Sequence, residues 1–109
     1  MIVIVSYDLK AVRDYTEFYD VLKRQGTSWS HYLSSTWLLA TQRTPQQIVE
    51  AVKPYMGPND FILAGEFLAH NYFGWLPPAA WEWLSAQSQP MLPNFGVLPY
   101  MVSASAKRE

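Results

Sequence analysis

Among the 109 residues, the carboxylate best placed for chemistry is Asp8, near the end of the apolar run Met1-Ile2-Val3-Ile4-Val5-Ser6-Tyr7-Asp8-Leu9. A charge at the end of a strand that is apolar on both faces meets either solvent at a turn or a cation. If two copies of the chain met about a two-fold axis near this point, their Asp8 carboxylates would repel unless one were protonated or a divalent cation sat between them. Mg2+ or Mn2+ held by such hard oxygen donors polarises a phosphodiester and activates a water. Asp8 is therefore the candidate catalytic and metal-binding residue. The plain alternative is an Asp whose side chain caps the turn after its strand. Lys10 and Arg13 are the basic side chains close to Asp8 in sequence. They suit a substrate phosphate, or else line a solvated loop.

Other candidates carry bland alternatives of their own. His31 falls in a strand-like segment with no Ser-His-Asp spacing around it, which fits a packed histidine better than a general base. Glu66 is expected toward the rim opposite Asp8. Five Trp side chains can stack bases, but their spacing suits core and interface. Of these, Trp75, Trp81 and Trp83 form a candidate partner surface. No Gly-rich phosphate loop, His/Cys metal spacing or nucleophile elbow occurs.

Composition bounds these options. The length suits one domain, and half the residues are hydrophobic, so the chain has the means to build a core. Eight basic and nine acidic side chains give a net charge of -1, without the broad basic footprint of a protein that grips nucleic acid through phosphates. The absence of Cys excludes disulfides, thiolate metal sites and a Cys nucleophile, and fits a reducing compartment. The opening apolar run is too short for a membrane helix and has no basic leader. A cytoplasmic protein with no membrane partner is expected.

These residues need elements to position them. The first strand is apolar at odd and even positions, as a central strand covered on both faces would be. Asp14 and Glu17 read as a capping box opening a helix whose stripe is Tyr15, Phe18, Tyr19 and Leu22, with Gly26 as its stop. Ser28 to Leu33 and Thr36 to Gln42 read as a hairpin about Ser34-Ser35. Thr44-Pro45-Gln46-Gln47 opens a second helix with the stripe Ile48, Val52 and Tyr55, which Pro54 should kink or end. Phe61 to Phe67 is a further strand, and Gly65 inside it suggests a bulge or a close backbone approach.

The order βαββαβ predicts an α+β fold, a ferredoxin-like sandwich with antiparallel sheet order 4-1-3-2 and both helices on one face. An added C-terminal helix and tail would follow. In that order Asp8, Asp60 and Thr41 are expected at one rim. The other sheet face, with Trp29 and Trp37 contributing, should pack on a second copy. Residues 1-84 would form the single domain, with a Trp-rich extension at 71-84. Residues 85-109 would form a tail, with Phe95 to Val102 an apolar island able to cross to the partner.

The strand ending Val-Ser-Tyr-Asp-Leu, the helix closing on Gly26, the Trp29 to Thr41 hairpin and the Thr44-Pro45 helix start together resemble the small CRISPR-associated subunit Cas-two. They also resemble its relatives in the virulence-associated protein D group. The resemblance covers residues 1 to 68. It implies a ferredoxin-like homodimer packed sheet on sheet, often completed by a C-terminal strand crossing to the partner. It also implies that the carboxylate at the end of the first strand, here Asp8, is the metal ligand of a nuclease acting on RNA or DNA. Other members are non-catalytic scaffolds, and the virulence-associated relatives are toxin-like ribonucleases. The expected function is a metal-dependent endonuclease. The alternative is a non-catalytic dimeric interaction module of a CRISPR, phage-defence or toxin-antitoxin system.

Overall fold

The run Ile2–Asp8 forms the strand β1, and the rest of the sheet is built around it. The computed structural model describes residues 1–11, 13–68 and 71–88. In chain order β1 is followed by α1 (Thr16–Lys23), β2 (Ser28–Leu33), β3 (Thr36–Ala40), α2 (Pro45–Val52), β4 (Phe61–Phe67) and α3 (Pro78–Ser88). The four strands make one antiparallel sheet ordered β2-β3-β1-β4, which is 4-1-3-2 counted from the β4 edge. The sheet and first two helices form one unit, Met1–Phe67; the chain from Leu68 onward is a second. In that second unit α3 runs on to Ser88, past the expected end of the extension at 84. Residues 95–102 lie outside the described residues. No helix among the described residues is long and apolar enough to cross a membrane.

Alternation along β1 divides its side chains. Val3, Val5 and Tyr7 join Trp37 and Leu39 of β3 in a buried cluster with Phe18, Val21 and Leu22 of α1 and Ile48 and Val52 of α2. Phe18 meets Tyr7, Tyr15 and Tyr19 edge-on, at centroid distances of 5.3, 6.3 and 5.4 Å. The expected helical stripes therefore face the core, and burial of their aliphatic and aromatic groups supplies the main stabilisation.

Several local expectations are corrected. Asp14 does not form a capping box with Glu17; its Oδ1 accepts from the Thr16 amide at 2.9 Å and the Thr16 hydroxyl, while the N-cap position falls on Tyr15 without a side-chain cap. A short Asx turn has displaced the longer capping pattern. The second helix does start as expected: Thr44 Oγ1 accepts from the Gln47 amide and Gln47 Oε1 from the Thr44 amide. It ends at Val52, before a 3₁₀ turn over Lys53–Tyr55 that holds Pro54. Gly65 makes no bulge, since β4 keeps unbroken register with β1 and a Cβ there would meet nothing within 4 Å. The irregularity lies in β2, between Ser30 and Leu33. Trp37 and its neighbour Trp29 belong to the helix-covered face, not the other one: Trp37 sits in the core, with Trp29 packed on it at 5.1 Å.

Candidate functional site

The site is built by the opposite set of β1 side chains. Asp8 and Ser6 share the face away from the helices, and the register sets Phe61 opposite Asp8 and Leu63 opposite Ser6. Phe61 is 66% exposed and Leu63 74%. Ile2, Ser30 and Ala40, toward the other end of the same face, are buried. Apolar exposure on this face thus lies beside Asp8, at Phe61 and Leu63, and at Leu33 on the β2 edge. There Ser6, Tyr7, Asp8, Phe61, Ile62 and Leu63 line a shallow, open cleft of about 270 Å³.

The Asp8 carboxylate is 64% exposed, and Lys10 Nζ lies 3.3 Å from its Oδ2. Lys10 also passes its ammonium over Phe61, 5.8 Å from the ring centre. Its backbone N–H donates to Asp60 Oδ1 at 2.7 Å. Asp60 Oδ2 accepts from the Tyr15 hydroxyl and from the Gly57 amide, each at 2.7 Å. The Lys10 amide, with help from Gly57 and Tyr15, holds the Asp60 carboxyl below the usual carboxylate range, against some loss of hydration. Loss of hydration pushes the Tyr15 phenol up, and its bond to Asp60 adds to the effect. Arg13 does not reach toward Asp8 in the same way; its guanidinium lies over the Tyr15 ring at 5.2 Å.

Behind Asp8 the strand end is pinned to the hairpin turn. Trp37 Nε1–H donates to the Tyr7 hydroxyl at 2.9 Å, and the Tyr7 amide donates to the Ser35 carbonyl at 3.1 Å. Burial pushes the Tyr7 phenol up to about 12, partly offset by the Trp37 bond. His31 is packed, as its surroundings suggested: its ring stacks on Trp37 at 4.1 Å and 15°, and Nε2 lies 3.2 Å from the Ser34 carbonyl.

The structure brings together Asp8, Lys10 and Asp60, but not Thr41. Antiparallel pairing sets the start of β3 beside the end of β1, with Ser6 opposite Thr36. Thr41 lies at the far rim, its amide donating to the Met1 carbonyl at 2.9 Å. Glu66 pairs with Val3, away from Asp8. In the second unit Trp75 is 96% exposed and Phe73 wholly so, while Trp81 stacks on Tyr72 at 6.1 Å and 19°. Trp83 is half-buried.

Chemically, Asp8 offers one hard carboxylate. Among the described residues no group of three His, Cys, Asp or Glu side chains could hold a metal ion, and Asp60 already receives three hydrogen bonds. Mg2+ needs less than such a cage, since it keeps several waters and takes one or two carboxylates together with substrate phosphate oxygens. Asp8 offers one such carboxylate, exposed and already ion-paired with Lys10. The sequence did not reveal Phe61 and Leu63 as the exposed apolar corner, nor Asp60 as the anchor of the loop. The signal for Phe61 was its cross-strand position opposite Asp8, which needs the register. Compared with known proteins, the chain matches no family model, no curated protein and no solved structure.

Proposed function

We propose that the chain works as a ferredoxin-like homodimer of the Cas-two kind, meeting at the Phe61 and Leu63 corner, and that paired Asp8 carboxylates serve Mg2+- or Mn2+-dependent hydrolysis of RNA or DNA. The observation that carries this reading is the position of Asp8 beside the exposed apolar corner of the sheet. Burying Phe61 and Leu63 against a twin gains hydrophobic free energy and brings two carboxylates toward one axis. An ion held there would supply charge stabilisation at the phosphodiester and an activated water. The protein's own part is to hold: Asp8 keeps the ion, Asp60 fixes the loop that carries Lys10, and Lys10 or Arg13 offers a cation to the substrate backbone.

A nuclease assay on single- and double-stranded RNA and DNA with Mg2+ and Mn2+, run beside sedimentation of the same sample, tests the reading. Turnover lost in Asp8→Ala with the dimer retained supports it. Equal turnover in both proteins removes Asp8 from the mechanism. A second reading, a non-catalytic interaction module of a CRISPR, phage-defence or toxin-antitoxin system, draws on the exposure of Phe73 and Trp75. A dimer without nuclease activity that loses a defined protein partner on Trp75→Ala favours that reading.

A further inference from the structure

We infer that β4 is a docking edge for a second copy of this chain, the two β4 strands pairing antiparallel about a two-fold axis at Ala64. The contact is independent of the Asp8 reading: it joins sheet edges and leaves the face away from the helices to the twin proposed above. Hydrogen-bond parity shows which groups β4 offers. The Thr41 amide donates to the Met1 carbonyl and the Tyr7 amide to the Ser35 carbonyl, so the odd-numbered residues of β1 bond to β3 and the even-numbered ones to β4. In the observed register Phe61, Leu63, Gly65 and Phe67 are those bonded to β1. The N–H and C=O groups of Ile62, Ala64 and Glu66 therefore point to the other side, where no strand lies among the described residues. At the opposite edge of the sheet β2 breaks register between Ser30 and Leu33, which guards against strand addition. The edge strand β4 carries no such guard: its register is unbroken and it holds neither Pro nor Lys. Side chains then select the pairing. With Ala64 on the axis all seven residues overlap, Ile62 bonds to the partner's Glu66, and Leu63 stands opposite the partner's Gly65. Leu63 is 74% exposed, and a Cβ on Gly65 would meet nothing within 4 Å. A glycine inside a strand costs stability, and neither a close neighbour nor a positive φ requires this one; the partner's Leu63 occupies the space above it. Glu66 is the one charge of β4 and faces an isoleucine instead of its own counterpart, so like charges are not opposed. A contact between two seven-residue strands lies at the small end of the interface range, so the joined sheet forms at high protein concentration.

The chain has no Cys, so introduced thiols read the register directly. Leu63→Cys and Gly65→Cys proteins are mixed in equal amounts at high concentration and oxidised mildly, and the disulfide-linked species are resolved by intact mass. A cross-strand pair without mutual hydrogen bonds brings its Cα atoms to about 4.5 Å, within disulfide reach. Two copies of position 63, or of position 65, stand diagonally at about 7–8 Å, beyond it. Random collision would give the mixed species in about twofold excess over either homodimer, whereas the edge pairing should give about tenfold. Phe61→Cys mixed with Gly65→Cys is also diagonal and should stay at the random ratio. Ala64→Pro in both proteins removes an outward N–H without touching the β1 ladder, and should return the Leu63→Cys and Gly65→Cys mixture to that ratio. A random ratio in the first mixture, an equal excess in the Phe61→Cys mixture, or an excess unchanged by a folded Ala64→Pro overturns the inference. Should Ala64→Pro lose the folded circular dichroism spectrum, the Phe61→Cys mixture alone decides. Dominant linking of Leu63→Cys to itself also overturns it, and favours face-to-face packing instead.

Discussion

Replacing Tyr7 by Phe removes one oxygen from the end of β1 and should cost about 1–2 kcal/mol of stability. The reasoning begins at Trp37, whose side chain is 2% exposed and whose indole N–H donates to that oxygen at 2.9 Å. Without it the donor has neither a protein acceptor nor water, and a buried donor left unmade costs about 1–3 kcal/mol. The second contact of the hydroxyl, to the Ser34 carbonyl at 3.5 Å, is at the limit of a hydrogen bond and adds little. Relief of the phenol's own desolvation returns a fraction, which sets the estimate in the lower part of the range. Urea unfolding at pH 7 measures it, and the cycle with Trp37→Phe should return a coupling of about 1 kcal/mol. The alkaline limb is an independent check. Burial raises the folded-state value of Tyr7 from the ordinary phenol value of 10.0 to about 12, so the unfolded chain ionises first. This contribution is whole below pH 10 and is lost as pH rises through 12. Tyr15 shifts in the same direction, so the informative quantity is the difference: Tyr7→Phe should lose stability less steeply than wild type above pH 10. A variant as stable as wild type at pH 7, with an unchanged alkaline slope, would refute the Tyr7–Trp37 argument.

Three further outcomes are expected. Asp60→Asn should lower thermal stability at pH 7, because one of the donors Lys10, Tyr15 and Gly57 then faces an amide N–H in place of a carboxylate. The folded carboxyl is depressed, so its contribution exists above the unfolded value of 3.8 and fades as pH falls through the folded one; parallel acid limbs in wild type and variant would contradict this. Gly26→Ala would place a Cβ 2.7 Å from the Ala40 carbonyl oxygen and 3.1 Å from that of Ser28, and should destabilise by about 1–3 kcal/mol in chemical denaturation. Gly65→Ala, with nothing within 4 Å, serves as the control that should not. Leu63→Glu should convert a wild-type dimer to a monomer in sedimentation equilibrium without loss of the folded circular dichroism spectrum, and a dimer that persists moves the interface elsewhere.

Elements written in local patterns were legible. The Thr44, Pro45 and Gln47 start of α2 is a contact among neighbours in sequence, and the apolar stripe of α1 has the helical period. What escaped depends on partners far along the chain. Asp60 anchors Lys10 and Tyr15 across 50 and 45 residues, and no spacing rule couples them. Thr41 was expected beside Asp8, although an antiparallel neighbour runs its far end to the other rim. Trp29 and Trp37 show the same limit, because which face a strand residue takes follows from register rather than from hydrophobicity alone. The Asp8 position was readable because a lone carboxylate after a doubly apolar run is unusual. The place of the Lys10 ammonium over Phe61 was not, because that ring is on another strand.

The central place of β1 also sets the timetable of synthesis. The two strands that flank it, Thr36–Ala40 and Phe61–Phe67, are translated after it. At about 5–20 residues per second the second of those arrives on the order of 3 to 12 seconds after Asp8. For that interval the nascent chain carries an unpaired hydrophobic strand, a natural client for chaperones, and a chain cut short before Phe61 would never close its sheet.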